Sequence, residues 1–401
     1  MRFSKRTDWN TEESDLARAH RRRVEAGLPI ADLTASNPTR CGFEYPHDLL
    51  GVLTRSEALD YDPQPRGLLA AREAVCAYYK DHGVAVNPAQ IVMTTSTSEA
   101  YSYLLRLVCD PGAEILVPLP GYPLFDYLAV LDDVRIRPVP LVYDHGWQID
   151  PEGFRRAISP QTRAIMLVHP NNPTGHFTKA WEAEELARLC REFELSLIVD
   201  EVFLDYSLRG QPSSFASGAA LAPALEGVPV FIVSGLSKIA GLPQMKAAWI
   251  VVTGPARDPA LERLEVIADT FLSMNAPVQL ALPLWLEGRA FIQEQIRART
   301  AANLAELDRQ LEALPAVSRL EVEGGWYAVL RIPALGPDEE TAIALLDAGV
   351  WVHPGSFFGL PAAGRLVVSL LGPEREFSTG VTALRESLGM NQGGNLTGDQ
   401  D

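Results

Sequence analysis

Short, continuous apolar runs recur along the middle of the chain, and each of them ends in turn residues. There are seven of these runs, at 90–96, 113–120, 134–141, 163–170, 195–202, 228–235 and 247–254. Continuous apolar runs of this length are typical of strands that are buried on both faces of a sheet. Helical stretches with apolar residues at three- and four-residue spacing lie between some of them, as at 65–83 and 178–194. The pattern predicts an α/β fold, with a large domain whose mostly parallel seven-stranded sheet is sandwiched by helices.

The pattern changes after about residue 280. A long helical stretch at 284–314 leads to a strand-like run at 324–333, a short helix, and two further strand-like runs. This order is typical of a smaller α+β domain. We therefore expect four parts, namely an N-terminal segment at 1–50 that belongs to the small domain, a large domain at 51–284, a small C-terminal domain at 285–390, and a polar, glycine-rich disordered tail at 391–401.

Charge and cysteine content exclude several classes of function. The chain has 401 residues and a formal net charge of −16 at pH 7, which disfavours binding to nucleic acid or to an anionic membrane surface. No apolar run approaches the roughly 18 residues of a membrane-spanning helix, and the first residues lack the apolar core of a signal peptide. The four cysteines are too far apart for a metal or redox motif. We expect a cytoplasmic protein with no bound metal, no nucleic-acid partner and no membrane partner.

Chemically distinctive residues follow five of the predicted strands. Ligands of open α/β sheets bind outside the carboxyl ends of the strands, so residues at these ends are candidates for a site. Hydroxyl side chains and free N–H groups at a helix N-terminus suit a phosphate, and a lysine that ends a buried run is costly unless it is paired or used chemically. A pyridoxal phosphate enzyme needs a phosphate cup, a flat aromatic ring, an amide, a carboxylate and a lysine. The five strand ends supply them in the form of 95–99, Tyr122, Asn172, Asp200 and Lys238.

With these residues in place, the chain resembles the class I/II aminotransferases, the fold-type I pyridoxal phosphate family. The matching motifs stand in the family's order from about residue 30 to about residue 388, which is nearly the whole chain. The string at 169–175 and the Ser237-Lys238 pair are the most specific of them. The full set is Tyr61-Asp62-Pro63 with Gly67, Ser96 to Ala100, Pro120 to Pro123, Asn171 to Gly175, Asp200-Glu201, Ser237-Lys238, Gly241-Leu242, Gly324-Gly325, Pro354-Gly355, Phe358-Gly359 and Arg365.

The resemblance implies a role for each residue that would touch the cofactor. Lys238 would form the Schiff base with pyridoxal 5'-phosphate and would carry the proton during the reaction. Asp200 would pair with the pyridine nitrogen and Tyr122 would stack on the ring. Asn172 would donate to the phenolate oxygen. The phosphate would be bound by Ser96, Thr97, Ser98, Ser237 and Lys246.

The resemblance also implies residues for the substrate and for a partner subunit. Arg365 would hold the substrate α-carboxylate as a planar fork, and Asn172 would help to orient it. Ser36 stands where the family closes over the substrate. Tyr61 resembles the tyrosine that reaches the phosphate in the neighbouring subunit, so a homodimer with shared active sites is implied. The substrates would be an amino acid and a 2-oxo acid.

Four positions depart from the family's pattern. Phe203 replaces a tyrosine that donates to the cofactor's phenolate oxygen, and Gly235 replaces a serine three residues before the lysine. Lys246 stands where the family often has an arginine, and it supplies a charge without the planar fork. Ser96 replaces the glycine that commonly opens the phosphate loop.

The side chain of the substrate is only partly constrained by the sequence. No arginine occurs at 270–279, where dicarboxylate-specific members place a second one from the partner subunit. Aromatic residues could form an apolar pocket, namely Trp326, Trp351, Phe357 and Phe358. We therefore expect an apolar, small or aromatic amino acid rather than a dicarboxylic one.

Two other functions remain open on the sequence. A C–S lyase, a cyclopropane-forming synthase or a decarboxylase would use the same cofactor and the same residues without transamination. A cofactor-sensing transcription regulator built on this fold is a more remote alternative, because such a regulator carries an added DNA-binding domain and the chain is strongly acidic.

Overall fold

The computed structural model describes residues 2–209, 225–272 and 274–393. Within them the strands are β1 (Ala31–Asp32), β2 (Ile91–Thr94), β3 (Glu114–Leu119), β4 (Arg135–Pro140), β5 (Val142–Tyr143), β6 (Trp147–Gln148), β7 (Thr162–Val168), β8 (Ser196–Asp200), β9 (Val230–Gly235), β10 (Ala248–Thr253), β11 (Ser318–Arg319), β12 (Tyr327–Arg331), β13 (Val350–Trp351), β14 (His353–Pro354) and β15 (Arg365–Ser369). The α-helices are α1 (Asp15–Glu25), α2 (Leu69–Asp81), α3 (Thr97–Val108), α4 (Leu124–Leu131), α5 (Pro151–Ala157), α6 (Ala180–Phe193), α7 (Leu236–Ile239), α8 (Arg257–Phe271), α9 (Ala276–Glu287), α10 (Ala290–Leu311), α11 (Asp338–Asp347) and α12 (Glu374–Gly393).

A seven-stranded sheet forms the centre of the larger part of the molecule. Its strand order is β2-β10-β9-β8-β7-β3-β4, and β10 is antiparallel to both of its neighbours while the other pairs are parallel. Each strand coincides with one of the seven apolar runs, so the prediction of a mostly parallel seven-stranded sheet is confirmed. The sheet is buried on both faces, because alternate residues of one strand enter two different apolar clusters. In β8, for example, Leu197 and Val199 join one cluster and Ile198 joins the other.

A second, antiparallel sheet forms the smaller part. Its order is β11-β12-β15-β14, and a third apolar cluster covers it. The N-terminal segment packs here, since β1 pairs with β13 and Arg23 Nη1 donates to the carbonyl of Asp347 at 2.8 Å. The boundaries 1–50, 51–284 and 285–390 stay a prediction. Helix α12 ends at Gly393, so the first three residues of the predicted disordered tail are helical, and 394–401 lie outside the described residues.

The two parts of the molecule meet beside the carboxyl edge of the large sheet. Ser207, which follows β8, forms an isolated bridge with Gly324 just before β12. Gln293 of α10 donates to the carbonyl of Ile239 at 2.8 Å, which ties the long helix to the end of α7. Among the described residues, no helix is long and apolar enough to cross a membrane.

Candidate active site

The direction of the strands brings the predicted site residues to one edge of the large sheet. β2, β3, β7, β8 and β9 all run the same way, so their carboxyl ends lie together, and the reversed β10 begins at that same edge. Register confirms this, because Ala248 at the start of β10 is paired with both Thr94 and Gly235. The residues that follow these ends are Ser96, Thr97, Ser98, Tyr122, Asn172, Ser237 and Lys238, with Asp200 as the last residue of β8 and Lys246 just before β10.

Asp200 is a buried carboxylate with two donors. The hydroxyl of Tyr101 donates to Oδ2, and the main-chain N–H of Val202 donates to Oδ1 at 2.8 Å. Burial raises the pKa of this carboxyl to about 6, although the two hydrogen bonds and the Lys238 ammonium act in the opposite direction. A carboxylate that is ionised at neutral pH in a buried place is suited to pair with a cationic nitrogen of a ligand.

Lys238 lies between aromatic side chains at the end of β9. Its Nζ is 5.1 Å from the centre of the Trp326 ring and 5.7 Å from the centre of the Phe203 ring. Burial lowers the pKa of the amine, and the carboxylate of Asp200 opposes the shift. The hydroxyl of Tyr206 donates to the carbonyl of Lys238 at 2.5 Å and holds its main chain. A lowered pKa increases the fraction of free amine, which is the form that attacks an aldehyde.

The predicted phosphate cup lies at the N-terminus of α3. Ser96 is the N-cap residue, and its Oγ accepts from the N–H of Glu99 at 3.1 Å. The carboxylate of Glu99 turns back and accepts from the N–H of Thr95 at 2.7 Å. The first helical residues, Thr97 and Ser98, keep their own N–H groups directed out of the helix end, where an anion is favoured.

The other two residues of the predicted phosphate set frame the neighbouring strands. Ser237 lies in the single turn of α7, directly after β9. Lys246 has a φ of 54°, in the left-handed region, and lies two residues before the first residue of β10. A lysine held in this conformation costs about 1 kcal/mol or more, so its place is imposed by the surrounding fold.

Asn172 and Tyr122 lie on the neighbouring strand ends. Asn172 is buried, and its Oδ1 has no hydrogen-bond partner among the described residues. The adjacent Asn171 has a structural role, because its Nδ2 donates to the carbonyl of Pro120 and to Thr174 Oγ1, both at 3.0 Å. Tyr122 as a whole residue is 42% exposed, which leaves part of it accessible to a ligand.

The structure does not bring Arg365 to this site. In the β12–β15 pair, Tyr327 lies opposite Ser369 and Arg331 lies opposite Arg365, so Arg365 is four residues, or about 13 Å, farther along the sheet than Tyr327. Its Nη1 donates to the carbonyl of Gly364 at 3.0 Å, which turns the guanidinium toward the preceding loop. This placement does not support the prediction that Arg365 binds the substrate α-carboxylate, which stays a prediction. The cause of the placement is strand register, which the motif match did not contain.

Of two other predicted residues, Ser36 lies at the border of the site, whereas Tyr61 lines a different cavity. Ser36 is half-buried, and its side chain interacts with the phenol of Tyr327. Tyr122 acts on the same phenol, so Ser36 borders the site. Tyr61 is 83% exposed and lines a different cavity, of about 560 Å³, with Gln64 and Asn275.

Two of the departures from the family's pattern have structural surroundings that account for them. Phe203 is 4% exposed and its ring packs edge-on against Trp326, with the centroids 5.2 Å apart. Gly235 faces the neighbouring strand, and a Cβ at this position would meet the carbonyl oxygen of Ala247 and the Cβ of Ala248 at 2.8 Å each. A serine at position 235 is therefore disfavoured by the close approach of β9 and β10.

The sequence analysis did not predict Tyr101 as a residue of the site. It is the fifth residue of α3, and it is almost fully buried. In the sequence its position on the apolar face of an amphipathic helix is typical of a core aromatic residue. No local signal could distinguish it, because its partner Asp200 is 99 residues away along the chain.

Comparison with known proteins adds to this geometry. The family model described as aminotransferase class I and II matches residues 54–383. The chain belongs to this family. It is 26% identical to an alanine aminotransferase of Mycobacterium tuberculosis over 91% of this chain and 87% of that one. It is also 27% identical to the glutamate-pyruvate aminotransferase AlaA of Escherichia coli over 85% and 86% of the two chains. The solved structure of an alanine aminotransferase from Pyrococcus furiosus superimposes with a TM-score of 0.87 at 25% identity, covering 97% of this chain and all of that one.

The predicted cofactor of this aminotransferase is confirmed at the level of the family, whose members use pyridoxal phosphate. The residues present fit it, since a helix N-terminus with hydroxyl side chains, a buried carboxylate, an amide oxygen without a partner and a lysine with a lowered pKa lie along one sheet edge of the described structure. When bound, the cofactor supplies an aldehyde and a ring that accepts electrons. The relatives are aminotransferases, so neither the non-transaminating enzymes nor the regulator is favoured.

Proposed function

We propose that this aminotransferase moves the amino group of an apolar, small or aromatic amino acid to a 2-oxo acid. The observation that carries the proposal is the set of walls around Lys238, which are the rings of Phe203 and Trp326. Apolar walls favour an apolar side chain over a second carboxylate, because burying an unpaired charge there is costly. The names of the M. tuberculosis and E. coli relatives make alanine and pyruvate the first substrates to test, with glutamate as the dicarboxylic comparison.

Each residue along the sheet edge has a proposed task. The free amine of Lys238 forms the covalent link to the cofactor and afterwards carries the proton at the substrate Cα. The carboxylate of Asp200 pairs with the pyridine nitrogen, and Tyr122 stacks on the ring. Asn172 donates to the phenolate oxygen. The phosphate is held by Ser96, Thr97, Ser98, Ser237 and Lys246.

The proposed anchor for the substrate consists of neutral groups. Because Arg365 lies elsewhere, Asn172 and Ser36 remain as the substrate-binding residues proposed from the sequence. Hydrogen bonds from neutral donors are about half as strong as those from a charged fork. We therefore expect weak binding of the substrate carboxylate, with the apolar walls contributing much of the affinity.

We further propose a homodimer with shared active sites in the cytoplasm. Tyr61 and Leu59 are 83% and 89% exposed beside the 560 Å³ cavity, which supports an interface on this face. The four cysteines are all free thiols, which supports a reducing compartment. Light scattering of the purified protein tests the first proposal, and a single subunit in solution at micromolar concentration contradicts it. Fractionation of cells tests the second.

A panel of amino acids in a single half-reaction tests the function itself. The purified enzyme is mixed with each amino acid in the absence of an acceptor, and the 2-oxo acid that forms is identified by mass spectrometry. We expect one equivalent of 2-oxo acid per active site from apolar, small or aromatic substrates and much less from aspartate. Transamination leaves the amino nitrogen on the cofactor, so release of free ammonia, with or without a 2-oxo acid, contradicts the proposal, and so does release of carbon dioxide. Lys238→Ala is the matched control, since it removes the reactive amine alone.

A further inference from the structure

The hydrogen bond between Tyr101 and Asp200 connects the proposed phosphate helix to the proposed pyridine partner. Tyr101 lies on α3, whose first turn contains Thr97 and Ser98, and its hydroxyl donates to Oδ2 of Asp200. The Tyr101 ring is fixed by an edge-on contact with Phe125, with the centroids 5.0 Å apart. The phenol cannot rotate away without losing this packing, so the donor has a set direction.

Asp200 is held from two sides. The N–H of Val202 binds Oδ1 at 2.8 Å, and the Tyr101 hydroxyl binds Oδ2. Each carboxylate oxygen accepts more than one hydrogen bond, so a free acceptor direction remains for a cationic N–H. The two donors restrict rotation of the carboxylate, and both of them stabilise its ionised form.

Asp200 has titratable neighbours on several elements. Tyr101 of α3 and Lys238 of α7 lower its pKa, whereas Tyr122 after β3 and Tyr79 of α2 are neighbours whose own pKa the Asp200 charge raises. Burial raises the pKa of all three tyrosines, so they remain neutral near pH 7. Lys238 is thus the one charged group among these four, and the covalent link proposed above consumes its amine. Tyr101 and the Val202 N–H are then the donors that keep Asp200 ionised.

We propose that Tyr101 is a positioning residue that holds the Asp200 carboxylate ionised and oriented toward a pyridinium nitrogen. The proposal rests on the proposed role of Asp200 and deepens it by naming the residue that sets the charge of this group. It predicts a specific pH dependence. Cofactor retention depends on ionised Asp200, so retention falls at acid pH, and removal of the Tyr101 hydroxyl moves this fall to higher pH.

The test compares holoenzymes of the wild type and of Tyr101→Phe. Each is dialysed to equilibrium against buffers from pH 5 to pH 9 with known pyridoxal phosphate concentrations, and bound cofactor is measured by absorbance. We expect the acid limb of the variant to move upward by about one to two pH units, since one hydrogen bond to a charged group is lost. Tyr79→Phe is the matched control, because it removes a buried hydroxyl that accepts a hydrogen bond from Trp249 and donates none to Asp200. We expect the acid limb of its retention profile to coincide with that of the wild type.

Two outcomes overturn the proposal. A profile that coincides with the wild type shows that Tyr101 does not act on Asp200, and an equal loss of affinity at every pH shows a merely structural role. The double variant Asp200→Asn, Tyr101→Phe, together with the two single variants, forms a double-mutant cycle. In the Asp200→Asn background we expect no further shift of the limb from Tyr101→Phe, and a further shift contradicts the proposal. Cofactor retention does not depend on the reaction catalysed. The role of Tyr101 can therefore still be tested if the proposed substrate class proves wrong.

Discussion

Arg365 lies directly opposite Arg331 in the antiparallel pair formed by β12 and β15. Burial and the neighbouring Arg331 charge both lower the pKa of the Arg365 guanidinium. Like charges that face each other across a ladder destabilise it. An arginine in this place, which donates to its own preceding loop, is therefore poorly placed to bind a substrate carboxylate at Lys238.

The first prediction follows from this placement. Arg365→Gln is expected to change KM for the amino substrate by less than about twofold, whereas loss of a charge-assisted anchor would raise it by roughly ten- to a hundredfold. Steady-state kinetics with a fixed acceptor measures the difference. Arg331→Gln is the matched control from the facing strand. A KM that rises tenfold only in Arg365→Gln would show that Arg365 does bind the substrate carboxylate.

The second prediction concerns Lys238. Lys238→Ala is expected to reduce turnover by more than about a thousandfold, because both the nucleophilic amine and the proton carrier are lost. We expect pyridoxal phosphate still to bind without a covalent link, as measured by equilibrium dialysis and by mass spectrometry after borohydride reduction. Lys80→Ala on the exposed face of α2 is the control. Reductive trapping of the cofactor on a different lysine of Lys238→Ala contradicts the assignment.

The third prediction uses the contact between Phe203 and Lys238. Phe203→Tyr adds a hydroxyl near the predicted phenolate oxygen of the cofactor, and a donor there stabilises the phenolate charge. The pH midpoint of the cofactor's visible absorption change is expected to fall by about one unit, if the hydrogen bond contributes roughly 1 kcal/mol. A spectroscopic pH titration without substrate measures it, with the distant Phe271→Tyr as control. An unchanged or raised midpoint means that the added hydroxyl does not face the cofactor.

The fourth prediction is a pH dependence of stability in the protein stripped of cofactor. The pKa of Asp200 is raised from 3.8 to about 6 on folding, so its protonated form favours the folded state. This contribution is complete below about pH 4 and is lost as the pH rises through about 6. Asp200→Asn stays neutral and is expected to be more stable than the wild type at pH 7.5 by about 1–3 kcal/mol, with little difference at pH 4.

Urea unfolding at the two pH values measures this difference for Asp200→Asn. Asp110→Asn removes an exposed carboxylate and is the control, with no change expected at either pH. If Asp200→Asn is less stable than the wild type at pH 7.5, burial of the ionised Asp200 carboxylate does not lower the free energy of unfolding, and the prediction is wrong.

The fifth prediction concerns the close approach of β9 and β10. Gly235→Ser places a Cβ 2.8 Å from the Cβ of Ala248 and is expected to lower the free energy of unfolding by about 1–3 kcal/mol. Adding Ala248→Gly removes the contact with the Ala248 Cβ but leaves the one with the Ala247 carbonyl oxygen, so it should restore part of the loss. Gly146→Ser is the control, because a Cβ there meets nothing within 4 Å. Equal stability of Gly235→Ser and the wild type, measured by urea unfolding, contradicts this account.

Much of the fold can be read from the sequence because the relevant signal is local. An apolar run has its full hydrophobic pattern within a few residues, so the sequence alone predicts all seven strands of the large sheet. It also indicates Asp200 and Lys238 as site residues, since each directly ends or follows a strand, and parallel strand ends lie at one edge of a sheet.

The remaining features were decided by the tertiary structure alone. The partner of Asp200 is Tyr101, on the buried face of a helix that the sequence indicates only as amphipathic. The place of Arg365 depends on strand register, and a motif match contains no register. Strand register is set by packing between segments that are distant along the chain, and so is the contact between a helix face and a strand end. Alternative pairings of these segments bury different side chains together, and this difference selects one of them. Local pattern determined which elements form and which residues end them, while this long-range packing decided which of those residues meet.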